Sequence, residues 1–205
     1  FELHWGVRDK WSVSDYQREL LGAREAIPRM LDLFEKYGIH ATWATVGFLF
    51  CQSKDELLAS FPATGPDYTD KRLNPYLDLA AVGEDEKRDP FHFAPSLIRE
   101  IAEREGQEIA SHTFSHYYCL EEGQTSEAFR SDLRACIDVA GRYGVRLRSL
   151  VFSRNQYNPD YLGILPELGI IAYRGNPRRW MYAAATDSSM NAPPKRLARF
   201  ADTYF

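Results

Sequence analysis

The sequence predicts an α/β fold in which helices alternate with short, largely parallel strands. Four segments share one layout: a helix with an apolar residue about every 3.6 positions, then a glycine, then a short apolar strand. The glycine suits the left-handed turn that often follows a helix. This alternation indicates a parallel sheet covered by helices, which forms either a (β/α) barrel or an open doubly wound sheet.

The elements are predicted in order along the chain. The helices, each with its terminal glycine, are expected at residues 27–38, 95–106, 126–144 and 159–169, and the strands at 39–48, 107–112, 145–154 and 170–175. Pro28 and Pro159 suit the first turn of a helix, where a missing N–H costs nothing. The amphipathic pattern of the third helix places Leu133 on an apolar face and Asp132 elsewhere.

Residues 51–95 interrupt this rhythm with prolines, charges and scattered aromatic residues. An insert of this length in a compact domain is usually a functional lid or a disordered linker. A chain of 205 residues that is 44% hydrophobic is long enough for one domain with a core. We expect a single domain over residues 1–205, with a partly ordered lid at about 51–95 near the strand ends.

Composition argues against several classes of partner. The 25 basic and 29 acidic residues are spread along the chain without a basic stripe, so we expect no nucleic acid partner. No apolar run reaches the roughly 20 residues needed to span a bilayer, and no GxGxxG or GxxxxGK[ST] motif supports a nucleotide site. Three cysteines without CxxC spacing argue against a disulfide framework and favour a reducing compartment, by default the cytoplasm. The chain opens on FEL and stops at ADTYF, so we interpret it as a fragment.

Polar residues fall where the predicted strands end. His112 ends the second strand, Arg154 the third and Arg174 the fourth. Both candidate architectures place their chemistry at the carboxyl ends of the strands. These residues are therefore expected at one edge of the sheet.

His112 and His116 lie four positions apart, in a chain with five histidines. If a helical turn starts where the strand ends, both imidazoles could reach one metal ion such as zinc. From the spacing alone, a metal site and a coincidence are about equally favoured. A catalytic zinc has three protein ligands, and Glu2 is the best candidate for a carboxylate. His4 is a rival ligand, because it points to the same side as Glu2 if the segment is extended.

Arg154 follows an apolar strand, where it either orients a carboxylate through a bidentate pair or ends the strand at the surface. Aromatic residues are also frequent near the candidate strand ends, where they either stack against a sugar or fill the core. For Trp43 we prefer the core, and for Trp5, Tyr157 and Trp180 the two interpretations are equal. The set comprises Trp5, Trp43, Tyr117, Tyr118, Tyr157 and Trp180.

With these residues in hand, the chain resembles the polysaccharide deacetylase family, the NodB-homology group within carbohydrate esterase family 4, over nearly its whole length. The segment SHTFSH resembles the family's H-[ST]-x-x-H motif, and FELHWG resembles the end of its first motif in the D-x-E variant. FSRNQYNPDY is similar to the third, arginine-containing motif. The three occur in the family's order and spacing. The resemblance implies a distorted (β/α)₇ barrel, incomplete at both ends here, and removal of acetyl groups from sugars.

The resemblance also implies roles for individual residues. His112, His116 and Glu2 would bind a divalent metal, most often zinc, and Arg154 would hold the catalytic base. The backbone N–H of Tyr157 would stabilise the oxyanion. A carbohydrate substrate would contact a small set of side chains, namely Trp5, Asn155 and Trp180.

Some motif positions depart from the family pattern. The family's general base would lie just before Phe1, and no histidine follows His116 to act as the general acid. Asn155 and Gln156 replace the proline of the third motif, and the segment around Trp180 is a loose match to the later Asp-and-Trp motif. The leading hypothesis is a metal-dependent deacetylase of N-acetylated sugars of a polysaccharide or its precursor. The alternatives are an allantoinase-like cyclic amide hydrolase and a non-catalytic sugar-binding domain.

Overall fold

The computed structural model describes residues 1–204 and contains one parallel sheet of four strands. The strands are β1 (Ala41–Thr45), β2 (Gln107–Ser111), β3 (Ser149–Val151) and β4 (Ala172–Arg174), and they neighbour one another in chain order. All three pairings are parallel, with Ala41 opposite Gln107 and Ser149 opposite Ala172. The predicted α/β class is confirmed, and the arrangement is consistent with a distorted, incomplete α/β barrel.

Seven α-helices surround this sheet in the described residues. They are α1 (Val13–Tyr37), α2 (Lys54–Ala59), α3 (Pro95–Glu103), α4 (Ser126–Arg142), α5 (Ile164–Glu167), α6 (Asp187–Met190) and α7 (Pro193–Tyr204). Local sequence explains several ends: the side chain of Ser12 accepts a hydrogen bond from the N–H of Asp15 at the start of α1, and Thr125 does the same for Ala128 in α4. Gly38 ends α1 in the left-handed region with φ 61°.

Helix α1 is longer than predicted, because it begins at Val13 and not at residue 27. The prediction that Pro28 lies in the first turn of a helix is therefore wrong. Leu20, Ile27 and Leu31 are buried along one stripe that continues past the proline. Burial of this stripe holds the helix together on both sides of Pro28. Pro159, in contrast, does begin a short 3₁₀ helix, Pro159–Tyr161.

The predicted insert 51–95 is ordered by contacts with the rest of the domain. It contains α2 and three 3₁₀ turns at Lys71–Leu73, Pro75–Leu77 and Leu79–Ala81. Tyr68 and Phe93 are buried, and the Tyr68 hydroxyl accepts a hydrogen bond from the N–H of Tyr118 at 2.9 Å. The insert thus packs beside the residues that follow β2, and its role as a lid stays a prediction.

Two further properties concern the cysteines and the helices. Cys51, Cys119 and Cys136 are buried and unpaired with one another. Among the described residues, no helix combines the length and the hydropathy that crossing a bilayer requires.

Candidate active site

The structure brings Glu2, His112 and His116 together at the carboxyl end of the sheet. Oε1 of Glu2 lies 3.0 Å from Nε2 of His112, and Oε2 lies 3.5 Å from Nε2 of His116. One ligand atom from each residue lies within 4.8 Å of the other two. Both histidines are buried, and the Glu2 side chain is 39% exposed. Two imidazole nitrogens and a carboxylate oxygen are thus available to one ion.

Glu2 reaches this position because the chain turns sharply after Phe1. The Phe1 carbonyl accepts a hydrogen bond from Val46 N–H at 3.0 Å, and its amino group contacts the carbonyl of Ala44. In a parallel sheet, one residue forms hydrogen bonds on both sides of a single residue of the neighbouring strand. Phe1 bonds in this way on both sides of Thr45, so it extends the sheet beside β1. The next residues form a 3₁₀ turn, Leu3–Gly6, in which Leu3 has φ 48°.

His112 and His116 lie on a loop, so the predicted helical turn is wrong. The His112 N–H donates to the carbonyl of Thr45 at 2.9 Å, which fixes the loop at the end of β2. Thr113 and His116 then take left-handed φ values of 65° and 59°. The ring of His116 then lies beside that of His112, with 4.9 Å between the ring centroids, and both rings contact Glu2.

Asp132 of α4 holds this loop in place. Its carboxylate accepts hydrogen bonds from the backbone N–H of Phe114 at 2.7 Å and of Ser115 at 3.2 Å, and from the Ser115 hydroxyl. Asp132 is fully buried, so the prediction that it lies off the buried face of its helix is wrong. Complete burial raises its pKa to about 7, although the donors from Ser115 and Phe114 favour the carboxylate.

The protonation pattern of the three residues suits a cation. His112 Nδ1–H donates to the carbonyl of Val151 at 2.6 Å, because a carbonyl can only accept. This leaves Nε2 of His112, which is buried and lies 3.0 Å from Oε1 of Glu2, as the ring nitrogen that can face an ion. Burial, with a smaller contribution from His112, lowers the pKa of His116 well below its usual range. Burial of Glu2 opposes its ionisation, but contact with His112 and the charges of both histidines outweigh it and lower the pKa to about 2. A bound cation would supply the same positive charge to Glu2 in place of the histidine protons, because metals bind histidine as the neutral imidazole.

Arg154 follows β3 and contacts a carboxylate that the sequence pattern did not identify. Its Nη2 donates to Oδ1 of Asp9 at 2.5 Å, and Nη1 lies 3.4 Å from Oδ1 of Asp187. Its guanidinium lies over the ring of Tyr118, 4.5 Å from the ring centroid, and the Tyr118 hydroxyl lies 3.0 Å from Nδ1 of His116. Arg154 is therefore linked through one aromatic ring to the histidine pair.

His4 does not compete with Glu2, contrary to the prediction. The 3₁₀ turn rotates His4 away, so that its Nδ1 lies 2.8 Å from Nε2 of His92 and its Nε2 lies 2.9 Å from the carbonyl of Trp11. His92 in turn contacts Asp89 at 2.8 Å. Both ring nitrogens of His4 are engaged, which leaves none for a metal.

The predicted stacking of a substrate on Trp5 is also wrong. Trp5 is 1% exposed, and its ring N–H donates to the carbonyl of His92 at 2.9 Å. Trp43 packs against the core, as preferred from the sequence. Asn155 and Trp180 are exposed, and Tyr157 is half-buried after the left-handed residues Arg154 and Asn155. The roles predicted for Asn155, Tyr157 and Trp180 stay predictions.

Backbone strain is concentrated in the segments that carry the candidate residues. Within residues 1–204, five non-glycine residues have positive φ, and all lie in the turn after Glu2, the histidine loop or the turn around Arg154. They are Leu3, Thr113, His116, Arg154 and Asn155. Such conformations cluster at sites where side chains must be aimed at a ligand.

The family model for polysaccharide deacetylases matches residues 21–173. No curated protein matches the chain.

Several solved structures are similar, at low identity. The chain is 12% identical to a CE4 family pseudoenzyme from Bacillus anthracis, 14% to IcaB from Ammonifex degensii and 17% to the deacetylase domain of BpsB from Bordetella bronchiseptica. The similarities cover 88%, 85% and 71% of this chain, with TM-scores of 0.45, 0.46 and 0.45. The chain spans 57%, 66% and 58% of the length of those three chains. Because these TM-scores are low, the family assignment rests on the family model.

Proposed function

Because the chain belongs to the polysaccharide deacetylase family, we propose that it is a metal-dependent hydrolase that removes acetyl groups from N-acetylated sugars of a polysaccharide or its precursor. The observation that carries this proposal is the cluster of Glu2, His112 and His116. Its three donor atoms lie within 4.8 Å of one another at the carboxyl end of a parallel sheet, where α/β folds place their chemistry.

The donor set fits zinc best. Catalytic zinc sites use three protein ligands drawn from histidine nitrogens and carboxylate oxygens, and they leave a further position open. Nε2 of His112 and Oε1 of Glu2 lie 3.0 Å apart, and both atoms would be ligands of a cation bound between the two side chains. When bound, the metal supplies a Lewis acid for the carbonyl oxygen of an acetyl group.

The remaining residues of the site would bind and orient the reacting groups. Arg154 would hold the Asp9 carboxylate in a fixed position through a charge-assisted hydrogen bond. The backbone N–H of Tyr157 would donate to the oxygen on which negative charge develops. Tyr118 would fix the ring of His116 through its hydroxyl.

Acetate release from an N-acetylated glucosamine oligosaccharide tests the proposal. We expect release by zinc-loaded protein, loss of release after chelation and recovery when zinc is restored. His116→Ala should abolish zinc binding and release, whereas His40→Ala, at an exposed histidine, should change neither. Equal release with and without metal would contradict the proposal.

Two other outcomes would replace the proposal by an alternative. Oligosaccharide binding without any acetate release would indicate a sugar-binding domain. Opening of a cyclic ureide such as allantoin, with no acetate release from sugars, would indicate a cyclic amide hydrolase.

A further inference from the structure

A second feature lies at the same edge of the sheet, beyond β3 and β4. It is a cleft of about 590 Å³ whose lining includes Arg154, Arg174 and Arg199 but no aspartate or glutamate. Asn155, Asn176 and Tyr182 add polar groups to its walls. Three guanidinium groups facing one concave surface form an environment suited to an anion.

Two of these arginines are held by neutral groups. Arg199 donates to the carbonyls of Met181 at 3.2 Å and Met190 at 3.0 Å, and Arg174 donates to Oδ1 of Asn155 at 2.8 Å. Among residues 1–204, neither arginine lies within ion-pair distance of a carboxylate. Their charges are thus positioned without being neutralised.

The third arginine is only partly satisfied. Nη2 of Arg154 binds Asp9, but its Nη1 is buried and makes no hydrogen bond to the described residues. The nearest approach of this nitrogen to a carboxylate is 3.4 Å, to Oδ1 of Asp187. Arg154 therefore retains donor capacity that an anion in the cleft can use.

The surrounding chain has the same sign of charge. Residues 174–205 contain six lysines and arginines against two acidic residues, whereas the whole chain has 25 basic and 29 acidic residues. The segment that forms much of this cleft thus has a net charge of +4 (six basic minus two acidic residues), whereas the whole chain has a net charge of −4. Such a field attracts anions over a distance of about one Debye length, roughly 10 Å at moderate salt.

We propose that the cleft binds an anionic substituent, a carboxylate or a phosphate, on the saccharide that enters the site. Arginine forks match the paired oxygens of both groups. Arg154 joins the cleft to the histidine pair through Tyr118, so the anionic group would lie on a sugar near the one that is deacetylated. The proposal rests on the proposed deacetylase function for the identity of that sugar, and it makes the substrate an acidic saccharide.

Calorimetric titration of the full chain with three ligands of similar size tests the inference. The ligands are a neutral N-acetylglucosamine disaccharide, a disaccharide containing glucuronate, and the phosphate monoester of the neutral disaccharide. We expect at least one acidic ligand to bind about tenfold or more tightly than the neutral one, with an affinity that falls as salt increases. The tighter of the two acidic ligands identifies the substituent. Equal affinity for all three ligands would overturn the inference.

Single substitutions of arginine residues test whether the acidic ligand binds in the cleft. Arg174→Gln removes an exposed guanidinium and should weaken the acidic ligand about tenfold while leaving the neutral one unchanged. Arg199→Lys retains the charge but loses the fork, and should weaken it by several-fold. Arg196→Gln is the matched control, because Arg196 is exposed on the same helix as Arg199 and does not line the cleft. If Arg174→Gln and Arg196→Gln weakened the acidic ligand equally, its tighter binding would be due to net charge. The inference that the cleft is the binding site would then be overturned.

Acetate release measured on the same samples separates this inference from the proposed function. Tight binding of an acidic ligand without acetate release would support the anion-binding cleft and contradict the proposed deacetylase function. Acetate release with equal affinity and rate for neutral and acidic saccharides would support the proposed deacetylase function and contradict the anion-binding cleft.

Discussion

The carboxylate of Glu2 occupies the space that a side chain on Gly6 would need. A Cβ on Gly6 would lie 2.8 Å from Cδ and 2.9 Å from Cβ of Glu2, and closer still to Oε2. Because the 3₁₀ turn folds residue 6 back over residue 2, a glycine at this point lets the carboxylate face His112 and His116. The glycine therefore belongs to the architecture of the candidate metal site.

Gly6→Ala is expected to weaken zinc binding by about 10- to 100-fold, the range seen when the support of a ligand is disturbed. The methyl group would meet the carboxylate and also Cβ of Glu2, so the turn itself must shift slightly, and the free energy of unfolding of the metal-free protein is measured alongside. Competition with a chelating dye gives the affinity. Gly163→Ala is the control, since its Cβ would meet no atom within 4 Å. Unchanged zinc affinity in Gly6→Ala would show that Glu2 is not a ligand.

Tyr118→Phe removes one hydroxyl and preserves the ring over which Arg154 lies. His116 then loses its Nδ1 partner, and we expect zinc affinity to fall about tenfold because the ring orientation is less restricted. Tyr117→Phe is the matched control, because its hydroxyl binds the carbonyl of Thr125 and not a candidate ligand. Equal zinc affinities of the two variants would contradict a supporting role for Tyr118.

The fold was predictable because its signals are periodic. Strands β2 and β3 and helices α3 and α4 follow apolar patterns that a single sequence displays, and His112 lies directly after β2 as expected. The start of α1 has no strong local signal, because the N-terminal half of the helix buries few residues and Pro28 is typical of a first turn. Burial of a stripe on both sides of a proline is a tertiary property and has no local signature.

The site was predictable where a motif carried it. Glu2, His112 and His116 come from two short motifs, and the structure brings them together. Asp9 and Asp132 were missed because their roles depend on contacts over long sequence separations, with Arg154 and with the histidine loop. A signal was present for Asp132, which lies four positions from both Ala128 and Cys136 and so shares their buried face of the helix. The burial of a carboxylate can be predicted only when the groups that donate hydrogen bonds to it are known.

Pro28→Ala is expected to stabilise the protein by about 1–2 kcal/mol. Alanine restores the N–H that the middle of α1 lacks and relieves the clash of the ring with the preceding turn, which together are worth about 3 kcal/mol in an isolated helix. Alanine also gives the unfolded chain more conformational freedom than proline does, which offsets about 1 kcal/mol of this gain in stability. Urea denaturation gives the difference. The same substitution at Pro159 should not stabilise, because that proline begins its helix. A destabilised Pro28→Ala would show that the proline is required by the packing of α1.

Asp132 is expected to contribute progressively less to the stability of the metal-free protein as pH rises from about 4 to 7. Its pKa is about 7 in the folded chain against 3.8 as its ordinary value, so between these values the folded state binds more protons than the unfolded state. The contribution of Asp132 to the free energy of unfolding is complete below about pH 4 and is lost as pH rises through 7.

The variant Asp132→Asn cannot titrate at this position, so its free energy of unfolding should lack this decrease. Other groups, such as Glu2 and His116 with their lowered pKa values, act in the opposite direction in both proteins and cancel in the comparison. Urea denaturation of both proteins across this pH range, with chelator present, measures the difference. Parallel pH profiles would mean that the hydrogen bonds from Phe114 and Ser115 keep Asp132 ionised in the folded chain, and that the histidine loop is held by a permanent charge.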